Sequence, residues 1–214
     1  MQGIVSVDRE GLLFAGAFAL AALLGSMLSA HLGWIGALLT IGCLGFFRDP
    51  ARVVPDVPNG VISPADGTVL SVTTCNSPSE LGLDYDKCQK ISIFMSLFDV
   101  HINRSPIKGA IQRIVYVPGK FVNASLDKAS ELNERQAIIL KTDRGLNVAF
   151  VQIAGLIGRR IRCDVKEGET LKAGQKVGMI RFGSRVDVYL PVKAEVTVLE
   201  GQTTVAGETI LGTI

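Results

Sequence analysis

The hydrophobic pattern divides the chain into two unlike parts. From Gly11 to Phe47 there are 37 residues without an Asp, Glu, Lys or Arg. One continuous helix of that length would reach ~55 Å, whereas the hydrocarbon of a bilayer is ~30 Å thick. The run is interrupted at His31-Leu32-Gly33, which splits it into Leu12–Ala30 and Leu32–Phe47. This predicts a hydrophobic N-terminal helical hairpin, spanning or re-entrant, with His31 as a polar turn residue at its tip. Arg9 precedes the run, and Arg48 and Arg52 follow it. Positive charge at both ends predicts that both face the cytoplasm. A cleaved signal peptide fits less well: the run is too long, and Met1–Glu10 carries two acids against one base.

Beyond a linker containing Pro50, Pro55 and Pro58 the period changes. Short runs rich in β-branched residues, bounded by Gly, Pro, Asp or Asn, predict strands. They cover Gly60–Pro64, Thr68–Thr73, Lys90–Met95, Ile111–Val117, Ala137–Lys141, Asn147–Ile153, Arg160–Val165, Val186–Leu190 and Glu195–Leu199. Ala124–Arg135 is the one good helical candidate, with Asn123 or Ser125 as its cap. Val165-Lys-Glu-Gly-Glu-Thr-Leu-Lys-Ala-Gly recurs as Val198-Leu-Glu-Gly-Gln-Thr-Thr-Val-Ala-Gly at an offset of 33. Paired copies of this kind are similar to the two quasi-symmetric halves of lipoyl and biotinyl domains. The fold class predicted is therefore mainly β with one or two short helices. It is a lipoyl/biotinyl-like barrel-sandwich (residues 50–214) preceded by the membrane-associating segment (residues 1–49). Asp127-Lys128-Ala129 matches a carrier-lysine turn by letters but lies outside the repeat, so the repeat predicts architecture and not a swinging arm.

Composition narrows the function. The formal net charge is +2, which argues against a nucleic-acid binder and its strongly basic face. Cys43, Cys75, Cys88 and Cys163 form no CxxC pair, and the chain holds two histidines. No metal site is therefore expected, and reduced thiols fit a cytosol-facing domain. Asn123-Ala124-Ser125 is a glycosylation sequon by letters, relevant only in a secretory lumen.

Three segments could carry chemistry. Ser63-Pro64-Ala65-Asp66-Gly67 offers a carboxylate, although Asp-Gly is itself a turn signal. In Asp99-Val100-His101-Ile102-Asn103-Arg104, a strand would place Asp99 and His101 on one face. A carboxylate there could fix the histidine's tautomer and raise its basicity. Arg159, Arg160 and Arg162 read as a solvated strand edge, with a patch for anionic lipid as the other reading. In Arg181-Phe182-Gly183-Ser184-Arg185, Gly-Ser interrupts a β run from Val177 to Leu190. Glycine permits strained angles, and the adjacent hydroxyl suits an N-to-O acyl shift in which Ser184 attacks the Gly183 carbonyl.

Phe47-Arg-Asp-Pro, Ser63-Pro-Ala-Asp-Gly, Asp99-Val-His-Ile-Asn-Arg, Asn123-Ala-Ser-Leu-Asp-Lys-Ala, Asn133-Glu-Arg and Arg181-Phe-Gly-Ser-Arg occur in this order along the chain. Together they resemble the short form of phosphatidylserine decarboxylase. The resemblance implies a proenzyme that cuts itself between Gly183 and Ser184 into a β chain (residues 1–183) and an α chain (residues 184–214). The two chains would stay together as a heterodimer, and a higher oligomer is compatible with the pattern. Ser184 would become a covalent pyruvoyl group, the cofactor, which holds the serine amine as a Schiff base and accepts electrons as CO2 leaves.

The implied activity is decarboxylation of phosphatidylserine to phosphatidylethanolamine at the cytoplasmic face of the cell (inner) membrane, with the phospholipid and the membrane as partners. The implied catalytic residues are Ser184, His101 and Asp66. Arg104 and Arg135 are candidates for substrate binding. Longer family members carry Asp-x-His-x-x-His, whereas here Arg104 takes the second histidine's place and cannot act as a base. His101 is thus left to serve self-processing, decarboxylation or both. The same motifs admit an archaetidylserine decarboxylase of the same mechanism. Rival readings are a membrane-anchored hydrolase using Ser184, His101 and Asp66 as a triad, and a non-enzymatic adaptor built on the repeat.

Overall fold

The computed structural model describes residues 6–119, 133–155, 160–181 and 183–214. The chain forms two compact units, Met1–Ala51 and Arg52–Ile214. In the first, β1 (Ser6–Val7) and β2 (Arg48–Asp49) pair antiparallel and close the base of a helical hairpin, α1 (Arg9–Ser26) and α2 (Ala30–Phe46). Asp8 caps α1 by accepting from the Glu10 amide at 3.0 Å. The hairpin turns at Met27–Ser29 rather than at His31. The reason is Ser29, whose hydroxyl accepts from the His31 amide at 3.3 Å and so starts α2. His31 therefore lies in the first turn of α2. The helices meet on small residues: a Cβ on Gly36 would stand 2.5 Å from that of Ala22, and one on Gly33 would stand 2.8 Å from that of Ser26. Leu13, Leu23, Leu28, Trp34, Leu38 and Ile41 are exposed, and α1 is long and apolar enough to cross a membrane.

The second unit is mainly β. Its strands are β3 (Gly60–Ile62), β4 (Gly67–Asn76), β5 (Lys87–Met95), β6 (Ile102–Arg104), β7 (Gly109–Val117), β8 (Arg135–Lys141) and β9 (Asn147–Ile153). They continue as β10 (Ile161–Cys163), β11 (Thr170–Leu171), β12 (Lys176–Ile180), β13 (Ser184–Pro191), β14 (Glu195–Val196), β15 (Thr203–Thr204) and β16 (Ile210–Thr213). An antiparallel eight-stranded sheet runs β11-β7-β8-β9-β13-β5-β4-β15, and two three-stranded sheets run β10-β12-β6 and β14-β16-β3. The large sheet is apolar on both faces, which explains its unbroken hydrophobic runs. Val186, Val188, Phe150, Ile138, Ile91 and Ile93 face the main core with Val61, Val177 and Leu211 of the small sheets. Ala149, Val151, Ala137, Ile139 and Tyr189 face a second cluster, capped by Leu81.

The repeat seen in the sequence proves to be half of a larger symmetry. Its copies build the two edges of the large sheet. The Gly168 amide donates to Ile111 O and that of Gly201 to Val69 O, both at 2.8 Å. Glu167 Oε1 accepts from the Ile114 amide at 2.7 Å, and Glu200 Oε1 from the Val72 amide at 3.3 Å. These bonds fall at matching bulges, Ile111/Arg113 in β7 and Val69/Ser71 in β4. Ser105-Pro106 and Ser63-Pro64 correspond as well: the Gly174 amide donates to Ser105 O at 2.9 Å and the Gly207 amide to Ser63 O at 2.8 Å. One half is thus β6 to β12, and the other is β3, β4, β5 and β13 to β16. This two-part architecture agrees with the barrel-sandwich expectation. It also has a consequence for the site: the first half is inserted between β5 and β13, so the chain crosses between halves twice, at residues 96–101 and 181–183.

The helical expectation for Ala124–Arg135 lies outside the described residues up to 132. Beyond them it is corrected, because Arg135 already begins β8. There Asn133 is fixed as a bridge residue, its Nδ2 donating to Ala154 O at 2.7 Å. The segment holding Asn123, Asp127 and Lys128, together with Arg159 and Phe182, also lies outside the described residues.

Candidate active site at the crossings between the two halves

The two crossings lie side by side. In the first, β5 ends and residues 96–99 form a tight turn: the Asp99 amide donates to Ser96 O at 3.1 Å, and the Ser96 amide donates to Asp99 Oδ2 at 2.7 Å. The Asp99 carboxylate is therefore turned into its own loop and is not aligned with His101 along a strand as expected. The backbone does that work instead. His101 Nδ1 lies 2.9 Å from Asp99 O. A carbonyl can only accept, so Nδ1 carries the proton, and in the neutral ring Nε2 is the nitrogen able to take one. His101 is fully buried, and its own carbonyl accepts from the Ile180 amide at 3.4 Å, next to the second crossing.

In that second crossing Gly183 has φ +61°, and no described atom lies within 4 Å of where its Cβ would stand. This left-handed conformation is one that glycine adopts without the steric cost a Cβ would bring. Ser184 then opens β13 in register with Met95 of β5. Its side chain shares the inner face with Val186 and Val188. It is fully buried, and the hydroxyl donates to Met95 Sδ at 3.4 Å.

Behind the serine stands a row of buried amides that sequence reasoning missed. Asn103 Nδ2 donates to Met95 Sδ at 3.6 Å, Gln152 Nε2 to Asn103 Oδ1 at 2.8 Å, and Gln136 Nε2 to Gln152 Oε1 at 3.0 Å. Asn103 and Gln152 are fully buried, and Gln136 is 5% exposed. The signal was present in the pattern, since both glutamines occupy inward registers of otherwise apolar strands. On the opposite face of β13, Arg185 and Asp187 form a buried ion pair, Nε to Oδ1 at 2.8 Å. Burial, reinforced by the Asp187 charge, pushes the nearby Tyr189 phenol up.

Asp66 lies at the same end of the sheet. Thr68 pairs with Phe94, and Phe94 with Arg185, so Asp66 stands two strands, roughly 10 Å, from the Gly183–Ser184 bond. Its carboxylate accepts from Arg52 Nη2 at 2.7 and 2.9 Å and from the Ala206 amide at 2.7 Å. The two arginines assigned to substrate are both committed to protein acceptors. Arg104 is 9% exposed and donates to Gly174 O at 3.0 Å; Arg135 forms a two-pronged pair with Glu80 at 3.0 and 2.7 Å. No group of three His, Cys, Asp or Glu side chains able to hold a metal occurs among the described residues. An apolar groove of about 370 Å³, lined by Tyr85, Leu146, Val192 and Ala194 among others, lies at the far end of β13, beyond Pro191. It takes no part in this constellation.

Comparison with known proteins agrees with the family resemblance. The phosphatidylserine decarboxylase family model matches residues 39–212. Proteins named phosphatidylserine decarboxylase proenzyme from Rickettsia akari (strain Hartford) and Rickettsia felis are each 50% identical over 205 residues, covering 96% of this chain and 89% of theirs. A buried serine behind a left-handed glycine, beside a histidine of fixed tautomer, thus occurs in a chain that belongs to the phosphatidylserine decarboxylase family.

Proposed function

We propose that this chain is a self-processing proenzyme that cleaves the Gly183–Ser184 bond and then decarboxylates phosphatidylserine to phosphatidylethanolamine and CO2. The observation that carries the reading is the Gly183–Ser184 junction itself. It joins a left-handed glycine to a buried hydroxyl, at a crossing between halves that β-pairing holds on both sides. Self-processing begins as Ser184 Oγ attacks the Gly183 carbonyl carbon. The peptide C–N bond breaks, an ester replaces it, and the serine nitrogen takes the hydroxyl's proton. Elimination across the Ser184 Cα–Cβ bond passes the Cα proton to a base, frees the Gly183 carboxylate and leaves a dehydroalanine. One water then replaces its nitrogen by oxygen and ammonia leaves, so that residues 1–183 and 184–214 part covalently and the second begins with a pyruvoyl group. The many ladder bonds of β13 to β5 and β9 keep them one body as a heterodimer.

The surroundings fit a pyruvoyl group derived from Ser184. They are dry, lack competing nucleophiles among the described neighbours Met95, Asn103 and Gln152, and offer a histidine of defined tautomer. When formed, that group supplies an electron sink for the carbanion left by loss of CO2. His101 Nε2, unprotonated in the neutral ring, is the candidate base for self-processing; once it has taken a proton it holds the one delivered to the substrate carbon. Asp66 keeps Arg52 and the Ala206 loop in place at the same end. A direct part for Asp66 in processing requires its pair with Arg52 to open. Substrate roles for Arg104 and Arg135 likewise require them to leave Gly174 and Glu80.

The apolar hairpin supports a membrane location, and the positive charges of Arg9, Arg48 and Arg52 at its ends support the cytoplasmic face for the second unit. The test is release of CO2 from phosphatidylserine labelled in its carboxylate by purified protein, beside Ser184→Ala. The account expects turnover in the first and none in the second. Ester hydrolysis without CO2 would establish the hydrolase reading instead.

A further inference from the structure

The turn that precedes His101 presents its apolar side chains outward. Phe98 is 87% exposed and Leu97 is 47% exposed, at the end of the unit where Ser184 lies. The turn is stiff: besides the two Ser96–Asp99 bonds, the Phe98 amide donates to Ser96 Oγ at 3.4 Å. Two large hydrophobes held in water on a short braced turn cost solvation and gain nothing from the core.

The surroundings are basic. Ile161 pairs with Ile180 across β10 and β12, which sets exposed Arg160 beside Arg181 at this same end. The acids nearby are turned inward. Asp99 caps its own turn, and Glu134, 7% exposed, accepts from the Ile161 amide at 3.4 Å. An apolar tip with two arginines at the same end of the unit has the composition of an interfacial membrane anchor, which combines acyl-chain burial with attraction to anionic headgroups.

We propose that Leu97 and Phe98 form a wedge that enters the acyl boundary of an anionic bilayer, with Arg160 and Arg181 at headgroup level. The second unit thereby has its own attachment to the lipid, beyond the N-terminal hairpin, and the crossing that bears His101 is held at the height of the phospholipid headgroup. The purpose of the wedge rests on the phospholipid-substrate reading, but its presence can be read without any turnover.

The full chain contains one tryptophan, Trp34, so W34F/F98W carries a single reporter on the turn. It is reconstituted in phosphatidylcholine vesicles with and without phosphatidylglycerol, using acyl chains brominated near the headgroup. The wedge predicts a blue-shifted emission that brominated chains quench at least twofold, strengthened by the anionic lipid and weakened by adding R160E and R181E. L97W in the W34F background is the second reporter, should the first fail to fold. Emission of an indole in water, unquenched on vesicles that carry the protein, overturns the proposal. A blue shift that grows with protein concentration and ignores the quencher also overturns it, in favour of a second copy of the chain. L97S/F98S is expected to slow turnover on vesicle phosphatidylserine about tenfold and to leave turnover of a monomeric short-chain phosphatidylserine unchanged. Quenching without CO2 release from either lipid would refute the decarboxylase reading while leaving the wedge intact.

Discussion

Replacing Gln152 by leucine removes the middle of the buried amide row while nearly keeping its volume. The loss is countable. Asn103 Oδ1 loses its donor at 2.8 Å and Gln136 Nε2 loses its acceptor at 3.0 Å, both where water does not reach. A buried polar group left unsatisfied costs about 1–3 kcal/mol, so the two together cost about 2–6. Burying leucine instead of an amide returns about 1–2 kcal/mol. The net expectation is a loss of about 2.5 kcal/mol at the middle of these ranges, and about 0–5 kcal/mol at their extremes, set against the ~5–15 kcal/mol that keeps a domain folded.

The assay is urea unfolding in a Ser184→Ala background, where the chain stays in one piece. The companion Q136L/Q152L removes the orphaned donor and should recover about 1 kcal/mol or more relative to Q152L. With Ser184 present, Q152L should also slow self-processing, because Asn103 then no longer holds Met95 against the serine hydroxyl. A Q152L protein within about 0.5 kcal/mol of its parent would show that the row does not order this end of the core.

Gly67 has φ +152°, and a Cβ there would meet Phe94 O at 2.1 Å; Gly67→Ala should therefore cost about 2 kcal/mol or more in the same assay, and an unchanged midpoint would refute the close approach of β4 to β5. Burial and the Cys75 thiol push the Cys88 thiol up to about 12, so Cys88 should resist iodoacetamide at pH 8 until the chain is unfolded; labelling at the rate of a free thiol would contradict that burial. Burial also raises the Tyr85 and Tyr189 phenols above their ordinary value of 10.0. Their unfolded forms lose protons first as pH rises, so stability should decline above pH 10; flat unfolding midpoints between about pH 10 and 11.5 would count against it.

How legible the molecule was depends on the kind of signal. Strands such as β5, β8 and β9 were readable because β-branched runs ended at turn residues. The three-residue strand β6 was not, because it is defined by its partner rather than by its own pattern, whereas β11 and β15 follow the glycine turns of the two repeat copies. Arg135 fell inside a helical expectation because Ala124–Arg135 has good local propensity; the pairing of β8 with β7 and β9 overrides it. The hairpin turn lies before the residues 31–33 that the sequence suggests, because Gly33 sits inside a helix whose start is set by the Ser29 hydroxyl. The offset of 33 revealed one repeat. Its companion, Ser63-Pro64 against Ser105-Pro106, shares too few letters to stand out, and only the matching hydrogen bonds expose it.

Of the candidate site, Gly183, Ser184, His101 and Asp66 are legible in the sequence as candidates, from local chemistry and motif order. The partners of those residues were less visible. A backbone carbonyl rather than the Asp99 carboxylate orients His101, and no sequence pattern distinguishes the two. Gln136 and Gln152 were hidden in plain alternation, noticeable only once the inward face of each strand is known.

The central claim is that Gly183–Ser184 is a bond the protein breaks in itself. Intact-mass spectrometry of the purified chain tests it most directly. The account predicts two species, residues 1–183 with an unmodified carboxylate and residues 184–214 with a pyruvoyl group in place of the first serine. Ser184→Ala should remain one chain of 22.8 kDa. A single intact wild-type chain, or a fragment beginning with unaltered serine, would contradict it.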